Sequence, residues 1–109
     1  MPSERSDAGI IVLVSANAEW RPTVEALRPP KIDSTPYGAT FTHEAGGERV
    51  RVVHGDWGKI SSAASTEYVI SAWHPELLIN LGTCGGIDGR IARGETLVVT
   101  RTLAYDIEE

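Results

Sequence analysis

The run from Leu78 to Gly86, Leu-Ile-Asn-Leu-Gly-Thr-Cys-Gly-Gly, constrains the fold more than any other stretch of this chain. An apolar, strand-like segment ends abruptly there in glycines and small polar side chains. In an open α/β sheet, ligands bind at the carboxyl ends of the strands, where such loops occur. Glycine permits a positive φ and a close approach of the backbone, so a loop of this kind can present its amides to a ligand. A strand-to-glycine turn can equally be a plain connection, and the rest of the chain has to decide between the two.

Ile10 to Ser15 is a continuous apolar run rich in β-branched residues, the pattern of a parallel strand covered on both faces. Leu77 to Leu81 reads as a second buried strand, and Glu95 to Arg101, with Leu97, Val98 and Val99, as a third. A helix through Val24, Ala26 and Leu27 is expected to begin near Glu19, because Pro22 is tolerated only in a first turn. Arg28-Pro29-Pro30 stops it. Gly38 to His43 and Arg49 to His54 form antiparallel strands around a turn at Gly46-Gly47. Lys59 to Trp73 fits a helix ended by His74-Pro75, with Ile60, Ala63 and Ala64 as its apolar stripe and Glu67 interrupting it. This alternation predicts an α/β fold in three αβα layers, a mostly parallel or mixed sheet with helices on both faces.

At 109 residues the chain is one small domain. No apolar run approaches the roughly 20 residues of a membrane helix. The polar start, Met1 to Asp7, leads straight into a strand rather than into a signal-peptide segment, so a cytoplasmic location is expected. A net charge of −5, with ten scattered Lys and Arg, disfavours a nucleic-acid surface and favours a small-molecule ligand. The lone Cys84 excludes an internal disulfide and has no neighbouring Cys or paired His to suggest zinc; neither a metal nor a cofactor is expected.

Three segments taken in order carry a family resemblance: Ile10 to Ala16 leading to Glu19, Gly55-Asp56-Trp57-Gly58-Lys59 opening a small-residue helix, and Asn80 to Ile87 after it. Together they resemble the purine nucleoside phosphorylase and nucleosidase superfamily, and within it the methylthioadenosine/S-adenosylhomocysteine nucleosidases, which hydrolyse N-ribosidic bonds. The resemblance runs from Ile10 to Asp106 and matches only the amino-terminal half of the family's domain. It implies a phosphorylase/hydrolase-like mixed sheet truncated after roughly its first half, with residues 1–109 one part of a single domain and 1–9 a polar leader. It also implies a nucleoside substrate and a homo-oligomer, a dimer or larger.

Hydrolysis of an N-ribosidic bond passes through an oxocarbenium-like state, so it needs a carboxylate to deprotonate water and an acid to protonate the departing base. In the resembled nucleosidases a glutamate at the end of the first strand handles the water, and Glu19 takes that place here. A helix amino terminus keeps such a carboxylate ionised. By itself, Glu19 also reads as a solvated first-turn glutamate. Thr83, Cys84 and Gly85 match the family loop that lies against ribose and base. Cys84 is read as a small packing residue, since no basic partner activates it.

The Gly55, Gly58 and Lys59 spacing is not that of a P-loop, which disfavours nucleoside triphosphates. His43, His54 and His74 are isolated, and Trp20, Trp57 and Trp73 read as core or interface residues. The resemblance gives Tyr105-Asp106 the place of a family segment that normally carries a histidine, which is lost here. The family's ribose-gripping Met-Glu pair and its base-protonating aspartate have no matching position. Two alternatives therefore accompany the nucleosidase. One is a nucleoside phosphorylase, disfavoured because Asn17-Ala18-Glu19-Trp20-Arg21 stands where the hexameric enzymes carry Gly-Asp-Pro-x-Arg. The other is a non-catalytic nucleoside-binding or interaction module.

Overall fold

A computed structural model of the protein describes residues 9–55 and 58–103. The apolar run at the start forms β1 (Ile10–Val14), which pairs in parallel on one edge with β4 (Glu48–His54) and on the other with β5 (Leu77–Asn80). The antiparallel strand β3 (Gly38–Ala45) flanks β4, and a short strand β2 (Asp33–Thr35) flanks β3. The sheet order is β2-β3-β4-β1-β5, a mixed five-stranded sheet. Between β1 and β2 lies α1 (Asn17–Leu27), and between β4 and β5 lies α2 (Lys59–Trp73).

Side chains alternate across a strand, so β1 feeds two cores. Ile11 and Leu13 pack with Val53, Val69 and Trp73 under α2. Val14 packs with Val52, Phe41 and Trp20 under α1, where Val24 and Leu27 complete the layer. The three-layer expectation is met, with one helix on each face.

Local chemistry accounts for the connections. Gly46 (φ 57°) and Gly47 (φ 83°) supply the two left-handed residues that a tight β3–β4 hairpin requires. In the β2–β3 turn Pro36 fixes the first central residue, while the Thr35 hydroxyl accepts hydrogen bonds from the amides of Tyr37 (3.0 Å) and Gly38 (3.1 Å). Both helices end on a non-glycine residue in the left-handed region, Arg28 (φ 47°) and His74 (φ 49°), each directly before a proline. Their amides donate to Val24 O and Ile70 O, which offsets the roughly 1 kcal/mol of left-handed strain. The pre-proline residue leaves the right-handed helix, as expected, but goes left-handed rather than extended.

Four expectations are corrected. Glu95 to Arg101 is not a strand: it has no ladder partner among the described residues, and Leu97 and Val98 stand 51% and 89% exposed. A strand needs a neighbour for its amides and carbonyls, and among the described residues β5 is paired only along its β1 edge. For the same reason β5 is not buried: Leu78 packs inward against the α2-side core, whereas Leu77 and Ile79 are exposed. In α1 the first turn closes on Ala16, whose carbonyl accepts from the amides of Glu19 and Trp20, so the helix starts at Asn17 and Pro22 falls in its second turn. The buried stripe of α2 is Ser65, Val69 and Trp73, while Ile60, Ala63 and Glu67 face outward. Trp73 sets that rotation: its ring carries the buried Arg51 guanidinium 4.5 Å from its centroid. Arg51 also donates to the Thr40 hydroxyl, which in turn donates to Val52 O.

Two outcomes follow from this packing. A Cβ at Gly38 would collide with the His54 backbone carbonyl, so Gly38→Ala should destabilise by roughly 1–3 kcal/mol in urea melts, while Ile60→Ser should stay within about 0.5 kcal/mol of wild type. The outer edge of β5, unpaired among the described residues, with the exposed Leu77, Leu97 and Val98, should make the 109-residue chain self-associate. A concentration-independent monomer in sedimentation velocity would contradict this.

Candidate functional site

The site assembles where β1 and β5 end. Leu81 N donates to Leu13 O at 2.9 Å, which carries the chain beyond β5 alongside the carboxyl end of β1 before it turns away as Gly82-Thr83. From the same end of β1, Ala16 caps α1 in an extended conformation and places Glu19 in the first turn. Trp20 locks that turn: it is buried, its ring 5.5 Å from Phe41 and stacked 4.7 Å from His54.

Glu19 and Thr83, 64 residues apart, meet there. Glu19 Oε2 accepts the Thr83 amide at 2.8 Å and the Thr83 hydroxyl at 2.7 Å. These two bonds, the backbone one foremost, hold the Glu19 carboxyl below the usual glutamate range. Partial burial opposes them, and the Ala16 backbone adds a smaller lowering contribution. The carboxylate, already ionised at neutral pH, is stabilised further in that form, in partly solvated surroundings. Gly82 gives it room, because a Cβ there would stand 3.2 Å from Oε1 and 3.3 Å from Oε2.

The remaining loop residues do not join this contact. Cys84 is an exposed free thiol, and Gly85 is exposed with open space where a Cβ would point. None of the glycines from Gly82 to Gly86 has a positive φ; Gly82 and Gly86 serve for space rather than for left-handed backbone. At Gly86 that space is filled by the Ile91 side chain.

Beside the Glu19 turn opens a cleft of about 490 Å³ lined by Ser15, Ala16, Asn17, Tyr37, Gly38, His54 and Gly55. That volume lies in the range of small-ligand pockets. Glu19 and Thr83 do not line it; they adjoin it through Ala16 and Asn17. Sequence reasoning did not single out His54, Tyr37, Ser15 or Asn17 for this cleft. His54 had a usable signal, since it ends a strand parallel to β1 and so lies on the ligand side of the sheet. Tyr37 had none, because its place depends on the unforeseen β2. Trp73 and Trp20 are core residues as expected, whereas Trp57, Tyr105 and Asp106 lie outside the described residues. Among the described residues no group of three or more His, Cys, Asp or Glu could hold a metal, and no helix is long and apolar enough to cross a membrane.

The profile of the phosphorylase superfamily matches residues 10–109, nearly the whole chain. The chain belongs to the phosphorylase superfamily. Among its curated relatives, the 5′-methylthioadenosine/S-adenosylhomocysteine nucleosidase of Marinomonas sp. (strain MWYL1) is 26% identical over 91% of this chain and 43% of its own length. The nucleosidase of the same name from Pseudoalteromonas translucida (strain TAC 125) is 31% identical over 77% of this chain and 36% of its own. This phosphorylase-superfamily chain thus spans less than half the length of the relatives it matches. No solved structure matches it.

The Glu19–Thr83 contact has a pH signature. The folded-state pKa of Glu19 lies below its unfolded value, so the ionised form favours the fold. That contribution is complete above the ordinary glutamate range and is lost as the pH falls through the lower, folded value. Urea melts of wild type and Glu19→Gln should differ most near neutral pH and converge on acidification. A gap that does not depend on pH would show that the Thr83 contact does not act on the charged carboxylate.

Proposed function

We propose that this chain carries the water-activating part of a nucleosidase site, acting on the N-ribosidic bond of an adenosine-type nucleoside. The observation that carries this reading is the Glu19 carboxylate, oriented by the two Thr83 donors at the carboxyl ends of β1 and β5. Superfamily membership and the names of the curated relatives support the substrate class. In this mechanism Glu19 takes a proton from water as the water oxygen bonds to the anomeric carbon. The N-ribosidic bond breaks, and its electron pair leaves with the base. A separate acid protonates the base, and none of the residues singled out in this chain is assigned that part. The Thr83 amide is taken by Glu19, so the backbone amides of Cys84 and Gly85 are the ones left to lie against the sugar and base, holding neutral oxygens without a charged partner.

Hydrolysis is preferred over phosphorolysis because the described lining of the adjoining cleft includes no Lys or Arg. A phosphate co-substrate calls for guanidinium or ammonium groups. The arrangement also suits a nucleoside-binding module that lacks turnover, and one pair of measurements separates the two.

Methylthioadenosine should shift the amide resonances of Thr83, Cys84 and Gly85 in the 109-residue chain. In any longer form that releases free base, Glu19→Gln should lower turnover by roughly two to four orders of magnitude with little change in nucleoside affinity. Near wild-type turnover in that variant would remove Glu19 from the chemistry. Base release that requires added phosphate would make the phosphorylase the better account.

A further inference from the structure

Resting on that reading of Glu19, we propose that Gly82 and Thr83 are positioning residues for water activation: they seat the carboxylate through Oε2 and leave Oε1 as the oxygen that receives the proton. Both Thr83 donors converge on a single atom. The amide at 2.8 Å and the hydroxyl at 2.7 Å both end on Oε2, which has two lone pairs to offer them. The Ala16 backbone acts on the same carboxylate more weakly, and no hydrogen bond between described side chains and backbone ends on Oε1. A carboxylate gripped through one oxygen in this way has one rotational setting and one basic site.

The grip is rigid on both sides because each side is tied to β1. Leu81 N donates to Leu13 O immediately before Gly82, which fixes the loop. The Ala16 carbonyl accepts the Glu19 and Trp20 amides, and the Thr23 hydroxyl bonds back to the Glu19 carbonyl at 2.8 Å, which fixes the turn that carries the carboxylate. Gly82 supplies the remaining condition. Its φ is not in the left-handed region, so the backbone there does not demand glycine. What demands it is the carboxylate, since a Cβ would lie 3.2 Å from Oε1 and 3.3 Å from Oε2, tighter than ordinary contact. A methyl group at position 82 would press the carboxylate back by a few tenths of an ångström, lengthening its bonds to Thr83 and crowding the open oxygen.

The two positions have separable signatures. Thr83→Ser keeps both donors, Thr83→Val removes the hydroxyl and keeps the amide, and Gly82→Ala keeps both donors but displaces the acceptor. Thr83 is exposed, so none of its variants should disturb the core. The test is a carbon-13 titration of the Glu19 carboxyl in the 109-residue chain and these variants, with the β1 and β4 amide resonances as a check on the fold. Thr83→Ser should titrate like wild type, and Thr83→Val and Gly82→Ala should both titrate at higher pH. Gly82→Ala should also move the Thr83 amide resonance upfield as its hydrogen bond lengthens. Wild-type titration in Thr83→Val, or an unmoved Thr83 amide in Gly82→Ala, would overturn the seat. In a form that releases base, the acid limb of the kcat/KM profile should move to higher pH in Thr83→Val and be restored in Thr83→Ser. Titration shifts of the expected kind, with no loop response to methylthioadenosine, would overturn water activation while leaving the seat in place, so the two failures are distinguishable.

Discussion

The structure depends on β1 being hydrogen-bonded along both edges and buried on both faces. Its parallel registers, Ile10 opposite Val50 and Leu77, bring β4 and β5 to the same height, so that all three strands end together. Its alternating side chains then divide the interior, with Ile11 and Leu13 toward α2 and Val12 and Val14 toward α1. A one-residue slip would exchange these faces and expose both cores, so the register is strongly specified. Every feature of the site is a consequence of that register. The amide of Gly55 and the amide of Leu81 both donate to carbonyls at the end of β1, and this draws the segments after β4 and β5 to one rim.

At that rim a negatively charged group is stabilised without a cation among the described residues. Glu19 sits in the first turn of α1, where backbone amides favour a carboxylate, and it accepts two further neutral donors from Thr83. Neutral donors stabilise the anion and set its direction while leaving part of it open to water. An arginine in the same place would lower the basicity further and compete with a substrate for the carboxylate. The neighbouring cleft is built on the same economy, with a hydroxyl, an amide, a phenol and the imidazole of His54 held flat against Trp20.

The outer edge of β5 behaves differently. Among the described residues β5 has one paired edge, and the residues that follow it, among them Ile87, Leu97, Val98 and Leu103, carry apolar side chains that nothing among the described residues covers. These positions have strand-like composition without strand structure. β-propensity describes how well a residue fits a pleated, half-buried surface, and it is realised only where such a surface exists. The curated relatives, more than twice as long, place the chain in a family without assigning a cover to this face.

The sequence by itself determined the elements whose signals are local. The β-branched run of β1, the Gly46-Gly47 hairpin and the span of α2 from Lys59 to Trp73, closed by His74-Pro75, follow from steric preferences a few residues wide. It also marked Glu19 and the Gly82 to Gly85 loop as a pair worth bringing together, through their family resemblance. Tertiary structure decided what depends on neighbours distant in sequence. Only pairing partners could tell β5 from a buried strand and Glu95 to Arg101 from a strand at all. Only packing of Val69 and Trp73 against β1 and β4 could turn α2 so that Ser65 points inward and Ile60 outward. The carboxylate seat is of the same kind: its geometry rests on two loops fixed separately to β1, and no window of sequence contains both Glu19 and Thr83.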